Sequence, residues 1–550
     1  MHSCFQPGAS MEGHMYHARN LNMKYIWFTD HDIRMGRKQY AIDGFDFEAP
    51  ELVIKEAEGR SHGFYSTEHG GNVSLSKGNA YTGKQCLQIS DTTEEVSWNS
   101  TEAIFWSSGK RHSASLLAGV LLELAFRAEC TDWKNARFIV DIQLSQRPPE
   151  HTSAHIMYVA GNKEELENNP HTLVLPLEAT EGWNLLSCNL SAVALSKEAE
   201  ACGIGGLDNA FDTIMFRVET RCGATVTAWV DDFKISIEKT AQETLEMQRK
   251  VAQEKGRIYG IVPFVGMEIS EAGPQKNCFS SQVPLIPYEE MNDKVSHQQG
   301  CEWVIKRGGF FAYNHPFERY NRADFRGLDM EAEVDNMIEE FTEHAAWGAK
   351  LLEVGFPEGR YFPLKYHLKL WDALGLHGIF LTGYGSSDNH SNQSGWYSGN
   401  NFATWFGVDT QKERPQEADF IFAMKSGNAY TGDPCLVTGE VILETEEGVP
   451  MGSVIETEFK TNITVMFYCS EVKRGWKQKW VVDGNVVKEN VMTSDVFADY
   501  CYVEATQSLR LARVEVYDEN GRCILLTNPI YIYCKDISKI DVPIERRGKI

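Results

Sequence analysis

Residues 25–32 read YIWFTDHD, a run of apolar, β-prone side chains that ends on Asp30, His31 and Asp32, with Arg34 and Gly36 just beyond. Two carboxylates around an imidazole are an expensive end for a buried strand unless something neutralises them. Similar endings recur along the chain. Glu268 follows PFVGM, His315 follows FFAYN, Glu353 follows KLL, and Asp388 and His390 follow LTGYGSS. His2 stands where a short strand before the first helix would end. Imidazoles mixed with carboxylates suit zinc, manganese or iron. A divalent cation would also let Asp30, His31 and Asp32 share one place at low cost. Taken singly, a histidine at a strand end reads as readily as a hydrogen-bonded core residue, and Glu353 as an ion-pair partner. The succession His, Glu, His, Asp, His on strand ends makes a metal site the favoured reading.

These residues need elements to carry them. SMEGHMYHARNLN places Met11, Met15 and Ala18 on one helical face, and KYIWFT follows as a strand. From about Asp43 the texture changes to short alternating segments with Gly, Asn and Ser turns, such as ARFIVDIQLS and DTIMFRVET. Over 41–240 such spacing predicts a β-sandwich. KTAQETLEMQRKVAQEKGR is helical, and strands and helices then alternate to about 432, with helical segments near 290–306, 330–347 and 364–374. That alternation predicts an α/β fold, a doubly wound sheet or a barrel. Residues 433–550 return to β texture and predict a second, smaller sandwich. GNAYTGKQCL at 78–87 and GNAYTGDPCL at 427–436 read as coincident turn chemistry, not a structural repeat.

Composition narrows the class. A chain of 550 residues exceeds one hydrophobic core and predicts about three domains. The net charge of −24 argues against a nucleic-acid or anionic-membrane partner. The longest apolar run, ASLLAGVLLELAF at 114–126, contains a glutamate and is too short to span a bilayer. Thirteen scattered cysteines without CxxC spacing read as reduced thiols of a cytoplasmic protein.

As an ordered set, HS near the start, TDHD at 29–32, GMEIS at 266–270, NHP at 314–316, EV at 353–354 and SDNH at 387–390 resemble the motifs of the PHP (polymerase and histidinol phosphatase) family. The resemblance covers residues 1–40 and about 245–430. It implies a distorted seven-stranded, TIM-like βα barrel whose C-terminal face holds two or three divalent metal ions (Zn, Mn or Fe), usually in a phosphoesterase. Residues 41–240 resemble a jelly roll of the carbohydrate-binding-module type, through GNAYTGKQCLQI and AWVDDFKI, inserted between the second barrel strand and the helix leading to the third. By the resemblance, His2 and Asp388 hold the first metal, Glu268 bridges first and second, His315 holds the second, and His31 and His390 hold a third. The metals would activate water for in-line attack on phosphorus and neutralise the non-bridging oxygens. Asp30 and Asp32 would orient His31 or that water.

Two departures stand out. The family begins with HxH, whereas this chain starts at what reads as the second histidine, which is expected of a fragment whose upstream residues, and any export signal with them, are missing. Pro7 and Gly8 stand where the family often has an Asp or His for the third metal, and Glu12 or His14 on the following helix would have to substitute. His14 reads equally well as a core-facing helix residue. Arg319, Arg322 and Arg326 in FERYNRADFR, with Arg34, are candidates to bind phosphate; ion pairing with Glu318 and Asp324 is the alternative. Trp98, Trp106, Trp133, Trp183 and Trp229 include candidates for a sugar-stacking platform, with core packing the ordinary role.

The expectation is a metal-dependent phosphoesterase acting on a small phosphorylated compound, such as a sugar phosphate or glycan phosphodiester. The alternatives are a glycan-binding protein whose metal-stabilised barrel is non-catalytic, and a hydrolase of a non-phosphate bond. Charge disfavours a nuclease.

Overall fold

The first helix, α1 (Met11–Asn20), is capped from two directions. Ser10 Oγ accepts from the Gly13 amide, while the amides of Met11 and Glu12 donate to the Asp208 carboxylate at 2.8 and 2.7 Å. A carboxylate supplied by the inserted sandwich thus satisfies the helix N-terminus and favours its dipole. The computed structural model describes residues 5, 9–36, 42–45, 47, 62–67, 71–107, 114–147, 152–167, 169–270, 274–288, 290–291, 295–317, 329–355, 363–390, 402–408 and 414–548. His2, Pro7, Gly8, Arg319, Arg322 and Arg326 lie outside these residues, as do the side chains of Arg34 and Trp106.

After α1 comes β1 (Tyr25–Phe28), whose Ile26 and Phe28 point into the core. The sandwich intervenes, and α2 (Ala241–Tyr259) returns the chain. A capping box between Thr240 and Glu243 starts α2, and Gly260, at φ +69°, stops it. Strand β2 (Val262–Val265) pairs parallel with β1. Five further strands form one mixed sheet in sequence order: β3 (Met267–Ile269), β4 (Lys276–Cys278), β5 (Phe311–Tyr313), β6 (Leu351–Gly355) and β7 (Thr382–Gly385). Helix α3 (His297–Lys306) precedes β5, α4 (Met330–Glu343) precedes β6, and α5 (Leu364–Leu376) precedes β7.

The expected seven-stranded TIM-like barrel is corrected by this arrangement. The chain is 41% strand and 22% helix, too little helix to sheathe a barrel. Strand β4 runs antiparallel to both β3 and β5, and among the described residues no ladder joins β7 back to β1. A barrel needs a crossover after each strand. Here six residues separate the end of β3 from the start of β4, too few for a crossover helix of ordinary length, and β4 is a three-residue strand too short to announce itself in the sequence. Among the described residues a single parallel bridge, His31 to Glu268, links the β1–β2 pair to the larger sheet.

The insertion is a β-sandwich. One sheet runs in the order Thr172–Pro176, Thr152–Gly161, Ala136–Arg147, Ala210–Thr220, Asn99–Ser107, His62–Thr67. The facing sheet runs Asn184–Asn189, Val120–Cys130, Thr225–Ile237, Gln85–Thr92, Asn72–Lys77. Phe126 meets Phe138 across the two sheets with ring centroids 5.9 Å apart, and Phe233 meets Phe216 at 6.1 Å. The same hydrophobic core continues into Met11, Met15, Ile26 and Phe28, so the sandwich is packed onto α1 and β1.

The C-terminal β-structure begins earlier than the sequence texture indicates. Ala403–Phe406 and Ala429–Gly432 already belong to its larger sheet, which packs over the three-stranded sheet Val441–Thr445, Asn462–Ser470, Val496–Glu504. The two GNAYTG copies therefore differ. The first is a turn whose Tyr81 and Thr82 amides donate to Asp231. The second places Gly427 at the C-cap of α6 (Glu417–Ser426) and AYTG in a strand. They are not a structural repeat, and turn chemistry describes only the first.

Candidate metal centre

The ends of β1, β5 and β7 and the middle of β3 converge. Glu268, His315 and Asp388 each present a ligand atom within 4.8 Å of the other two. Their positions follow from local backbone. Glu268 lies on β3, opposite the first residue after Asp30, and its amide donates to the Asp30 carbonyl at 2.8 Å. His315 and Asp388 leave their strands at φ +40° and +46°, left-handed conformations that side-chain-bearing residues adopt at a cost of about 1–3 kcal/mol. Two such conformations in adjacent ligands are the kind of strain that a binding site retains.

Around this triad the contacts are close. His315 Nε2 lies 3.7 Å from Asp388 Oδ2, and His315 Nδ1 lies 2.5 Å from Glu353 Oε2. Glu353 is fully buried and also accepts from the His315 amide at 2.8 Å and from Ser386 Oγ at 2.5 Å. Its position is that of a partner fixing the histidine ring. His31 Nδ1 sits 2.8 Å from Glu268 Oε2 and 2.5 Å from Ser270 Oγ, and the His31 and His390 rings are 5.7 Å apart. Glu268 thus stands between two groups: His315 and Asp388 on one side, His31 on the other. Glu268, His315 and Glu353 are buried, whereas Asp388 and His390 are partly exposed, so the cluster opens to solvent along 388–390.

The neighbouring groups are polar but fixed. Asp30 Oδ2 accepts from Gln248 Nε2 at 2.6 Å. Asp32 accepts from Tyr288 Oη at 2.6 Å and from the Ile33 and Ser270 amides at 2.9 and 3.3 Å. Burial nevertheless pushes the Asp32 pKa up to about 6. His367, behind Glu353, is pushed down to about 4, chiefly by burial, and so stays neutral at pH 7. Asn314 Nδ2 donates to Glu268 Oε1 at 2.6 Å, and Tyr384 Oη donates in turn to Asn314 Oδ1. The donor set, imidazole plus carboxylate on short, buried supports, fits one or more divalent ions of the zinc, manganese or iron type.

Among the described residues the contacts of the Glu12 side chain lie elsewhere. Its carboxylate binds Lys255 Nζ and accepts from Tyr259 Oη at 2.9 Å, tying α1 to α2. His14 is wholly buried on α1 beside the Phe28 ring, in the core-facing role. Asn314, Tyr384, Tyr288, Ser386 and Gln248 escaped the sequence reading. One of them had a signal, since Asn314 adjoins His315 in NHP; Tyr384 is placed only by the ladder that pairs it with Glu353.

On the inserted sandwich, Gln88, Trp229 and Arg127 lie side by side on the outer face of adjacent strands, with Arg127 over the Trp229 ring at 4.9 Å. Nearby, Tyr81, 43% exposed, meets Trp183 with centroids 5.6 Å apart.

Fold and site together define a β-rich protein in which an open mixed sheet holds a His/carboxylate cluster between two β-sandwiches. No family model and no curated protein matches the chain. Among solved structures it is similar to the glycoside hydrolase domain of Endo-D from Streptococcus pneumoniae, at 12% identity over 32% of this chain and 21% of that one, with TM-score 0.19. A family 11 carbohydrate-binding module from Clostridium thermocellum gives 14% identity over 36% of this chain and 99% of that one, TM-score 0.21. A family 12 xyloglucanase from Bacillus licheniformis gives 9%, 32%, 87% and 0.19 in the same order. Likeness at this level carries neither fold nor function across, and the β-sandwich assignment rests on the strand ladders themselves.

Proposed function

We propose that the protein is a metal-dependent hydrolase of a small phosphorylated substrate. One observation carries the reading: Glu268, His315 and Asp388 meet within 4.8 Å, on elements separated by long stretches of chain. Their order along the sequence, with His31 and His390, resembles that of the PHP motifs, and this resemblance supports the choice of a phosphoester over other bonds. Glu268, His315, Asp388, His31 and His390 would hold two or three ions, with Glu353 orienting His315. Bound there, the ions would supply Lewis acidity and lower the pKa of water. Gln248 and Tyr288 hold Asp30 and Asp32 in place, so that His31 keeps one orientation.

The test combines elemental analysis of the purified protein with turnover of p-nitrophenyl phosphate and bis(p-nitrophenyl) phosphate. Asp388→Asn is expected to lower metal content and reduce turnover by roughly a thousandfold or more while the circular dichroism spectrum stays unchanged. Wild-type turnover in that variant, from an active preparation, would refute the proposal.

A second reading has its own observation and concerns the sandwich. The exposed Tyr81 and its neighbour Trp183, beside a buried Trp229 whose ring Arg127 covers, have the composition of a sugar-stacking face, aromatic rings rimmed by hydrogen-bonding groups. This supports a carbohydrate ligand, either as the carrier of the phosphorylated group or as the ligand of a protein that only binds. Affinity electrophoresis in gels containing soluble polysaccharides distinguishes the cases. Retardation lost in Trp183→Ala and Tyr81→Ala supports the face. Retardation with no turnover at any metal concentration favours binding alone.

A further inference from the structure

At the end of the β1–β2 pair opposite the metal centre, a cleft of about 710 Å³ continues into a second lobe of about 510 Å³. The lobes share Gln253, Phe264, Ser281 and Glu417, so they form one groove. One wall is α2, which presents Arg249, Gln253 and Arg257 at four-residue spacing along one face. The opposite wall carries Arg414 and the first turn of α6. Phe264 and Ile421 line the apolar part.

The charges here run against those of the chain. In a protein of net charge −24, three guanidinium groups line the groove and Glu417 is the only carboxylate among its lining residues. Both Glu417 oxygens already accept from Ser281, from the amide at 2.8 Å and from Oγ at 2.6 Å. Arg249 donates to the Ser281 carbonyl, and its Nε is buried with no hydrogen-bond partner among the described residues. Arg257 and Arg414 make no ion pair among the described residues and are exposed. A buried, unsatisfied N–H of a cation is expensive unless a ligand completes it.

We propose that this groove binds a small phosphorylated organic anion. Three guanidinium forks offer more donors than one carboxylate can accept, and phosphate geometry suits them. Each lobe by itself falls within the usual volume range for small-molecule sites. Phe264 and Ile421 would take an aromatic or aliphatic body, so an organic phosphate binds more tightly than the bare ion. The site stands independently of the reaction at the metal centre.

Isothermal titration of the full chain with AMP and with inorganic phosphate tests this in three proteins: wild type, Arg257→Gln/Arg414→Gln, and Asp388→Asn. AMP is expected to bind wild type more tightly than phosphate, to lose about tenfold or more in affinity in the arginine variant, and to change less than about twofold in Asp388→Asn. Among the described residues neither arginine side chain makes a hydrogen bond or ion pair, so the variant is expected to keep its melting temperature. Binding lost in Asp388→Asn but kept in the arginine variant would place the anion at the metal centre and overturn the proposal. Absence of AMP binding to wild type would overturn it outright.

Discussion

Arg513, Asp372 and Glu515 form one buried charged cluster, and Glu268, His315, Glu353 and Asp388 form another. In the first, Arg513 binds Asp372 through two contacts of 2.7 Å and Glu515 through a third of 2.7 Å. It joins α5 to the C-terminal sheet, and every charge has a geometric partner. Burial works against the guanidinium charge, yet the two carboxylates hold its pKa above the ordinary arginine value. In the second cluster three carboxylates gather around His315, with only the further imidazoles His31 and His390 beside Glu268 and Asp388, and two members sit at positive φ. The first cluster, two carboxylates each paired to one guanidinium, sits in relaxed backbone and joins elements. The second has no arginine or lysine among its members, carries strain and gathers negative charge toward an opening. Excess charge held in strained backbone marks a binding site, where complete pairing marks a joint.

The largest effect follows from breaking the joint. Arg513→Met leaves Asp372 and Glu515 buried together without a cation and is expected to destabilise the fold by about 3–5 kcal/mol in urea denaturation. The triple change Arg513→Met with Asp372→Leu and Glu515→Leu should recover most of that loss. If the single variant were as stable as wild type, the cluster would not be the closed network described.

A smaller effect comes from Lys276, wholly buried on β4, which donates to the Pro274 carbonyl at 2.6 Å and approaches His297 Nδ1 at 3.1 Å. Burial lowers its pKa to about 8, and Cys301, Asp32 and Glu268 oppose that shift. Below pH 8 the lysine is protonated in both folded and unfolded chains, and the folded state bears the full penalty. Between pH 8 and the unfolded value near 10.5 the unfolded chain binds more protons, so stability rises with pH. The gain is roughly 3 kcal/mol by the size of the shift. Lys276→Met should remove that rise. Parallel stability curves for the two proteins from pH 7 to 10 would refute it.

Much of the candidate site was legible because its chemistry lies next to strand signals: TDHD, GMEIS, NHP and SDNH each place a ligand within a few residues of an apolar run. The supports were not, because they come from distant chain. Tyr288 reaches Asp32 across 256 residues, and Gln248 reaches Asp30 across 218. Strand texture was legible too, but sheet closure depends on which edges pair. The three residues of β4 reversed one edge and left the sheet open. The two GNAYTG copies make the same point at the scale of a hexapeptide. The Asp231 carboxylate folds one into a turn, while pairing with Cys523–Thr527 extends the other.

The smallest effect separates the two clusters most sharply, because it has the opposite sign from the first. Asparagine tolerates the left-handed conformation that Asp388 occupies, so Asp388→Asn changes charge while keeping the backbone. At pH 8, in protein stripped of metal by chelation, the substitution removes one of the crowded carboxylates and should stabilise the fold by about 1 kcal/mol. With zinc or manganese restored, wild type should become the more stable protein, because an ion that binds only the native state adds its binding free energy to folding. Such a reversal of order on adding metal is what a charge-excess binding site requires. If Asp388→Asn were destabilising in both states, Asp388 would belong to a structural joint of the Arg513 kind.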